Sequence, residues 1–253
     1  NRDAVVYDFD AGRLAKRVEQ FAEDYNAELH RWKKKGKPDD LDAFLSTEKV
    51  KWSRDLKLKL AREQEFNFDK RNIREALYRP FAGMYLYCAE VAIDRVGPAS
   101  DCLPTKKSCG ENQLICLTGP GSEKPFLSLG TNRLPDLHLA AFGSGTQSFP
   151  LYTYSEDSKE RRDNVTTKAV TLFRNFYDDD RIQRRDIFHY VYAVLHHPGY
   201  RARYAENLKR DLPRIPFIDR HGEPHGPLPL DGQDERTDKE HKAEAKVFHQ
   251  FAQ

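Results

Sequence analysis

Between Leu14 and Trp32, the residues Leu14, Val18, Phe21, Tyr25, Leu29 and Trp32 recur three or four positions apart. That period places them in one stripe on a helix. A helix of this length with a single apolar face has to lie against a core. The stripe runs into Arg31-Trp32-Lys33-Lys34-Lys35-Gly36-Lys37-Pro38. Cations suit a helix C-terminus, and Gly followed by Pro stops it. A solvated helix end is the simpler reading of this basic run, and a phosphate-tracking strip is the other.

The rest of the chain divides by period. Residues 4–9 (AVVYDF) read as a strand, and Trp52–Leu60 as a second amphipathic helix. Residues 70–80 predict a short helix that stops before Pro80. The period then changes. Tyr85 and Tyr87 read as strand, and residues 97–112, rich in Pro, Gly, Ser and Cys, as loop. Leu114–Leu117, Phe126–Leu129, Leu137–Ala141 and Phe149–Tyr154 are short strand candidates between Gly-rich turns. Helices return at about 166–176, at 185–196, and from Pro198 onward with Tyr200, Tyr204 and Leu208 on one face. The expected architecture is α+β, a central β-rich recognition region of short strands. An N-terminal strand-helix unit and a C-terminal helical bundle flank it. One domain is expected over 1–217, with a helical N-terminal stretch over 1–80, a β-rich middle over 81–155 and a helical C-terminal stretch over 160–217. Residues 218–253 read as a charged, Pro/Gly-rich surface loop or linker, truncated at its end.

Composition excludes more than it selects. The chain has 253 residues, opens at Asn1 and reads as a piece of a longer polypeptide. Its 15 Phe and 12 Tyr suffice for a sizeable core. With 42 basic and 40 acidic residues the net charge is +2, which rules out a strongly acidic or strongly basic domain. A local patch still acts on phosphate, because charge reaches over about a Debye length, roughly 8–10 Å. No apolar run approaches the roughly 20 residues that span a bilayer, and no export signal opens the chain. Reduced thiols are expected for Cys88, Cys102, Cys109 and Cys116.

The sequence lacks the signatures of common catalytic classes. It contains no Asn/Asp-Pro-Pro-Tyr/Phe, no FxGxG-like loop, no GxxxxGK[ST], no HExxH and no GxSxG. No paired carboxylates followed by ExK suggest a metal-dependent nuclease. Cys102, Cys109 and Cys116 stand seven apart, which fits no compact zinc site. His196-His197 read as a helix end, and His221 and His225 lie in a polar stretch. The segment is expected to be non-catalytic, without cofactor or metal.

Three stretches remain. The first is Leu77-Tyr78-Arg79-Pro80-Phe81 with Tyr85-Leu86-Tyr87. The second is Leu117-Thr118-Gly119-Pro120-Gly121-Ser122-Glu123-Lys124-Pro125-Phe126, continuing to Leu134-Pro135-Asp136-Leu137-His138-Leu139. The third is Ser148-Phe149-Pro150-Leu151-Tyr152. Asp186–His196, Tyr200–Tyr204 and Leu212-Pro213-Arg214-Ile215-Pro216 follow it. In order and spacing the series resembles the C-terminal specificity region of type ISP restriction–modification enzymes, and the ends of related adenine-specific methyltransferases. The resemblance runs to about residue 217. It implies that this segment selects the DNA sequence while an upstream methyltransferase domain of the same polypeptide flips and methylates an adenine. S-adenosylmethionine, and in the restriction form ATP and Mg2+, would serve the parent elsewhere. Double-stranded DNA is the expected partner and the bacterial cytoplasm the expected location. The alternative is a scaffold without DNA binding that docks the methyltransferase and motor domains.

A DNA reader needs donors at base edges and cations near phosphates. In the Gly119–Lys124 loop, Ser122 offers a hydroxyl and Lys124 a charge, although an ordinary turn with a solvated lysine explains the same residues. Asn132 and Arg133 sit in a turn between strands, where Arg suits guanine and Asn suits adenine. Lys106 and Lys107 lie in the long loop before Cys109. Arg79 reads first as a packing residue beside Tyr78 and Phe81, and second as a phosphate contact. His138 is expected to be buried and hydrogen-bonded in a strand. Arg201, Arg203, Lys209 and Arg210 lie on the helix after Pro198, whose Tyr200 and Tyr204 suggest core packing before any helix-turn-helix role.

Overall fold

The computed structural model describes residues 3–93, 99–140, 143, 145–155, 160–219 and 224–225. Most of the expected linker, 218–253, lies outside these residues, as do Ala141 and His221. The chain forms two compact units, Asn1–Ser100 and Asp101–Gln253.

In the first unit, a helical turn α1 (Asp3–Val6) leads into β1 (Tyr7–Asp8) and α2 (Ala11–Lys34). The strand expected over 4–9 is thus mostly helical turn. Asp8 is buried, with its carboxylate 3.0 Å from both Arg13 and Arg17. The Asp10 N–H, ahead of Arg13, holds the Asp8 carboxyl below its ordinary range. Asp10 caps α2 by accepting from the Arg13 N–H at 2.6 Å. The predicted stripe is buried in full: Leu14, Val18, Phe21, Tyr25, Leu29 and Trp32. The Asn26 carboxamide both donates to the Phe66 carbonyl and accepts from its N–H, each at 2.9 Å, so a side chain pairs with main chain as a strand would. The basic run is a helix end. The Trp32 indole donates to the Pro38 carbonyl at 2.9 Å, and Glu63 pairs with Lys33 and Lys37.

After α3 (Leu41–Phe44) and α4 (Arg54–Ala61) comes the main departure in this unit. The helix expected over 70–80 is a single tight turn at Lys70–Asn72 followed by β2 (Ile73–Arg79). β2 pairs antiparallel with β3 (Ala82–Tyr87), and β3 pairs with β1. Glu75, Ala76 and Leu77 favour helix locally, but the pairing with β3 outweighs so small a preference. Pro80 followed by Phe81 with φ +65° makes the connecting turn, the arrangement of a type II turn. Phe81 is 94% exposed.

In the second unit, the loop expected over 97–112 contains α5 (Ala99–Cys102) and α6 (Lys106–Glu111). Thr105 starts α6 with a capping box, its hydroxyl accepting from the Ser108 N–H at 3.1 Å and the Ser108 hydroxyl accepting from the Thr105 N–H at 3.0 Å. A Thr-x-x-Ser spacing performs here what Thr-x-x-Glu does elsewhere. β4 (Leu114–Thr118) follows, flanked antiparallel by β5 (Ser128–Thr131) and, beyond the two-residue β6 (Leu134–Pro135), by β7 (Thr146–Pro150). β4 is buried at every position, so it is covered on both faces as well as flanked on both edges. The strand expected over Leu137–Ala141 is a turn across its described residues. There the Asp136 carboxylate accepts from the His138 N–H at 2.9 Å, and the Leu139 N–H donates to the Asp136 carbonyl. His138 is half-buried in that turn.

β8 (Tyr152–Tyr154) and β9 (Arg161–Asp163) form a further antiparallel pair. Then come α7 (Thr167–Tyr177), α8 (Arg184–His196), α9 (Pro198–Arg203), α10 (Ala205–Arg210) and the pair β10 (Phe217–Ile218) and β11 (Pro224–His225). The helix expected from Pro198 therefore breaks at Tyr204. Ile115 and Leu117 of β4 share a core with Phe173, Phe176 and Tyr177 of α7, Phe188, Tyr190 and Val194 of α8, Tyr200 and Phe217. Gly130 of β5 lies against the Tyr192 ring of α8, which a Cβ there would meet at 3.4 Å, an ordinary contact distance. The Tyr190 hydroxyl donates to the Pro216 carbonyl at 2.8 Å and accepts from the Ile218 N–H at 2.9 Å. The Tyr177 hydroxyl donates to the Ile218 carbonyl at 3.1 Å.

Tyr190→Phe removes a hydroxyl that serves two main-chain groups in a buried place. The expected loss is about 1–3 kcal/mol of unfolding free energy, read from denaturant titration. An unchanged midpoint would contradict the role given to this network.

Candidate functional site

The three-stranded sheet β5–β4–β7 sorts the candidate residues by its two ends. At one end, the Gly119–Lys124 loop leaves β4 and returns to β5. Thr118 closes its base, donating its N–H to the Leu127 carbonyl at 3.1 Å and accepting the Leu127 N–H on its hydroxyl at 2.9 Å. Pro120 sets the turn and Gly121, at φ +76°, completes it. Ser122 is 7% exposed, and its hydroxyl accepts from the Lys124 N–H at 3.1 Å. Ser122 thus shapes the turn from inside, while Lys124 is exposed. The Gly121 N–H donates to the Lys209 carbonyl at 2.9 Å, and the Arg201 guanidinium lies 5.7 Å over Phe126. Both contacts fasten the loop to the α9–α10 segment. On that segment Lys209 pairs with Glu206 at 2.7 Å.

At the other end, Thr131 pairs with Leu114 and hands over to Asn132 and Arg133, both exposed in the two-residue turn before β6. The Arg133 N–H donates to the Thr131 hydroxyl at 3.0 Å, which fixes the turn. The two candidate groups are therefore separated by the length of β5, roughly 10 Å at about 3.4 Å per residue. α6 feeds the Asn132 end. Its exposed Lys106 and Lys107 precede Asn112, which is 1% exposed. The Asn112 carboxamide binds the Tyr152 carbonyl at 2.8 Å and N–H at 2.9 Å, and also the Cys102 carbonyl at 2.8 Å. Asn112 thus joins α5, α6, β4 and β8 at that one end of the sheet.

In the first unit, Arg79 is half-buried at the end of β2. Its guanidinium lies 4.0 Å over the Tyr78 ring and donates to the Tyr78 carbonyl at 2.5 Å.

Sequence reasoning covered β8 within the strand candidate Phe149–Tyr154 but missed its partner β9, with exposed Arg161 and Arg162. The alternation of Tyr152, Thr153 and Tyr154 was visible, but its three-residue partner strand is too short to show a period.

The described residues contain no group of three or more His, Cys, Asp or Glu placed to hold a metal ion, and no helix long and apolar enough to cross a membrane. The four cysteines are free thiols. Burial pushes the Cys116 thiol up to about 11, the opposite of what a nucleophile needs.

Comparison with known proteins places this geometry. The family model of the type ISP C-terminal specificity domain matches residues 1–222. Among solved structures, the chain is similar to DrdV in a cryoEM structure of a DrdV–DNA complex, at 36% identity and a TM-score of 0.76, covering 86% of this chain and 20% of that one. It is similar at 32% identity and a TM-score of 0.71 to a nuclease-deletion mutant of the type ISP enzyme LlaGI in complex with a DNA substrate mimic, covering 86% of this chain and 19% of that one. The ATP-dependent type ISP enzyme LlaBIII bound to DNA shares the fold, at 24% identity, a TM-score of 0.69 and coverage of 86% and 14%. The chain thus spans about a fifth or less of these structures' chains. No curated protein sequence matches. With the family model covering nearly the whole described chain, this protein belongs to the type ISP C-terminal specificity domain family.

Proposed function

We propose that this chain reads the sequence of double-stranded DNA within a restriction–modification polypeptide. In this role it positions an adenine for N6-methylation by a methyltransferase domain of the same chain. The observation that carries the reading is the likeness to DrdV and LlaGI, both solved with DNA or a DNA mimic, over 86% of this chain. S-adenosylmethionine, and ATP with Mg2+ where cleavage occurs, would act elsewhere in the polypeptide. The purpose of this segment is then to present a shaped surface, with no bond made or broken on it.

The geometry supports that use. Asn132 and Arg133 are adjacent, exposed and held by a short turn whose main chain is fixed by Thr131. Arg pairs with the O6 and N7 of guanine and Asn with the N6 and N7 of adenine, so this turn carries the donors that direct base readout uses. Lys124, on its own rigid loop, supplies charge without base information.

The test is selection of duplexes from a random pool by the protein, followed by titration at two salt concentrations. The expected result is enrichment of one sequence, with affinity that falls steeply as salt rises. Absent or salt-insensitive binding would overturn the reading and favour the scaffold. Within the same assay, Arg133→Ala should relax preference at one base position by about 1–3 kcal/mol. Lys124→Ala should weaken binding to all sequences alike. Unchanged affinity and selectivity in both variants would remove these two turns from the interface.

A further inference from the structure

One carboxylate in the second unit is shared by two cations from different elements. Glu111, at the end of α6, lies 3.6 Å from the Lys107 ammonium through one oxygen and 3.6 Å from the Arg161 guanidinium through the other. Lys107 is 84% exposed and Arg161 49%. Arg161 lies 4.3 Å over the Tyr152 ring, a cation–π contact that helps hold its guanidinium in place. Two cations thus share one carboxylate, and exposed Lys106 precedes Lys107 on the same helix.

Connectivity sets this cluster beside the Asn132–Arg133 turn. The first residue of β4, Leu114, pairs with both Thr131 and Pro150. Tyr152, under Arg161, is bonded through Asn112 to the end of α6.

Resting on the reading above, we propose that Lys107 and Arg161, poised on either side of Glu111, form a phosphate clamp that grips the duplex backbone next to the base-reading turn. Exposed ion pairs at this distance hold weakly, so a phosphate displaces Glu111 at little cost. The guanidinium then meets phosphate oxygens in its fork and Lys107 acts as a point charge. Arg162 supplies an internal control. Strand alternation sends it to the other face of the hairpin, opposite Thr153, where it pairs with Glu160 at 2.6 Å.

The experiment measures the affinity of the whole protein for its selected duplex and for a scrambled one across a salt series. Lys107→Gln with Arg161→Gln should weaken both complexes and lower the salt slope by about 0.9 for each cation removed, with selectivity unchanged. Arg161→Lys should restore some of the slope. Glu111→Gln should tighten binding to both duplexes, an effect that a merely structural carboxylate would not give. Arg162→Gln should match the wild type in slope. If the wild type binds and selects DNA while neither the paired variant nor Glu111→Gln departs from it, the clamp is wrong and the DNA-reading role stands. If the wild type fails to bind DNA, the underlying reading falls with it. Melting curves of each variant separate a lost contact from a lost fold.

Discussion

The second unit is organised by the complete burial of β4. A five-residue strand with no exposed position must have a neighbour on each edge and cover on both faces. β5 and β7 supply the edges, and α7 and α8 cover the face that carries Ile115 and Leu117. Once those elements are in place, the connections at the two ends of the sheet are what is left free to project. The Gly119–Lys124 loop and the Asn132–Arg133 turn follow from that arrangement. Their rigidity also follows, because each is tied back by its own hydrogen bonds to Thr118, Lys209 or Thr131.

Much of this was legible in the sequence wherever a signal repeated over several turns or was fixed by backbone chemistry. The stripe from Leu14 to Trp32 became α2, and the apolar helices at 167–177 and 184–196 fell where their period put them. The turn at Asn132–Arg133 and the Gly-Pro-Gly loop were also legible, since turn residues act through the backbone whatever the surroundings. The failures share a cause. Residues 73–79 have helical composition but lie in a hairpin, because pairing with 82–87 is a contact that local propensity does not record. α6 was hidden because Gly110 and Cys109 look like loop, while the Thr105–Ser108 box that starts it is an unfamiliar variant. Residues 137–140 alternate like a strand, yet Asp136 folds them into a turn by capturing the His138 N–H.

The candidate site divides in the same way. The turns that carry Lys124, Asn132 and Arg133 were legible because turns announce themselves. The neighbourhood of Lys107, Glu111 and Arg161 was invisible, since it joins residues far apart in the chain through the buried Asn112. The near-neutral charge of the whole chain says little about such a place. Phosphate feels the few charges within a Debye length, so the sum over the chain decides little.

The central claim is that the Asn132 end of this sheet faces a duplex. Amide hydrogen exchange of the protein, with and without its selected duplex, tests it most directly. The account predicts slowed exchange at Asn132, Arg133 and the start of β9 when DNA is added, with α7 unchanged. Protection confined to the α7–α8 surface, or none in this unit at saturating DNA, would contradict it.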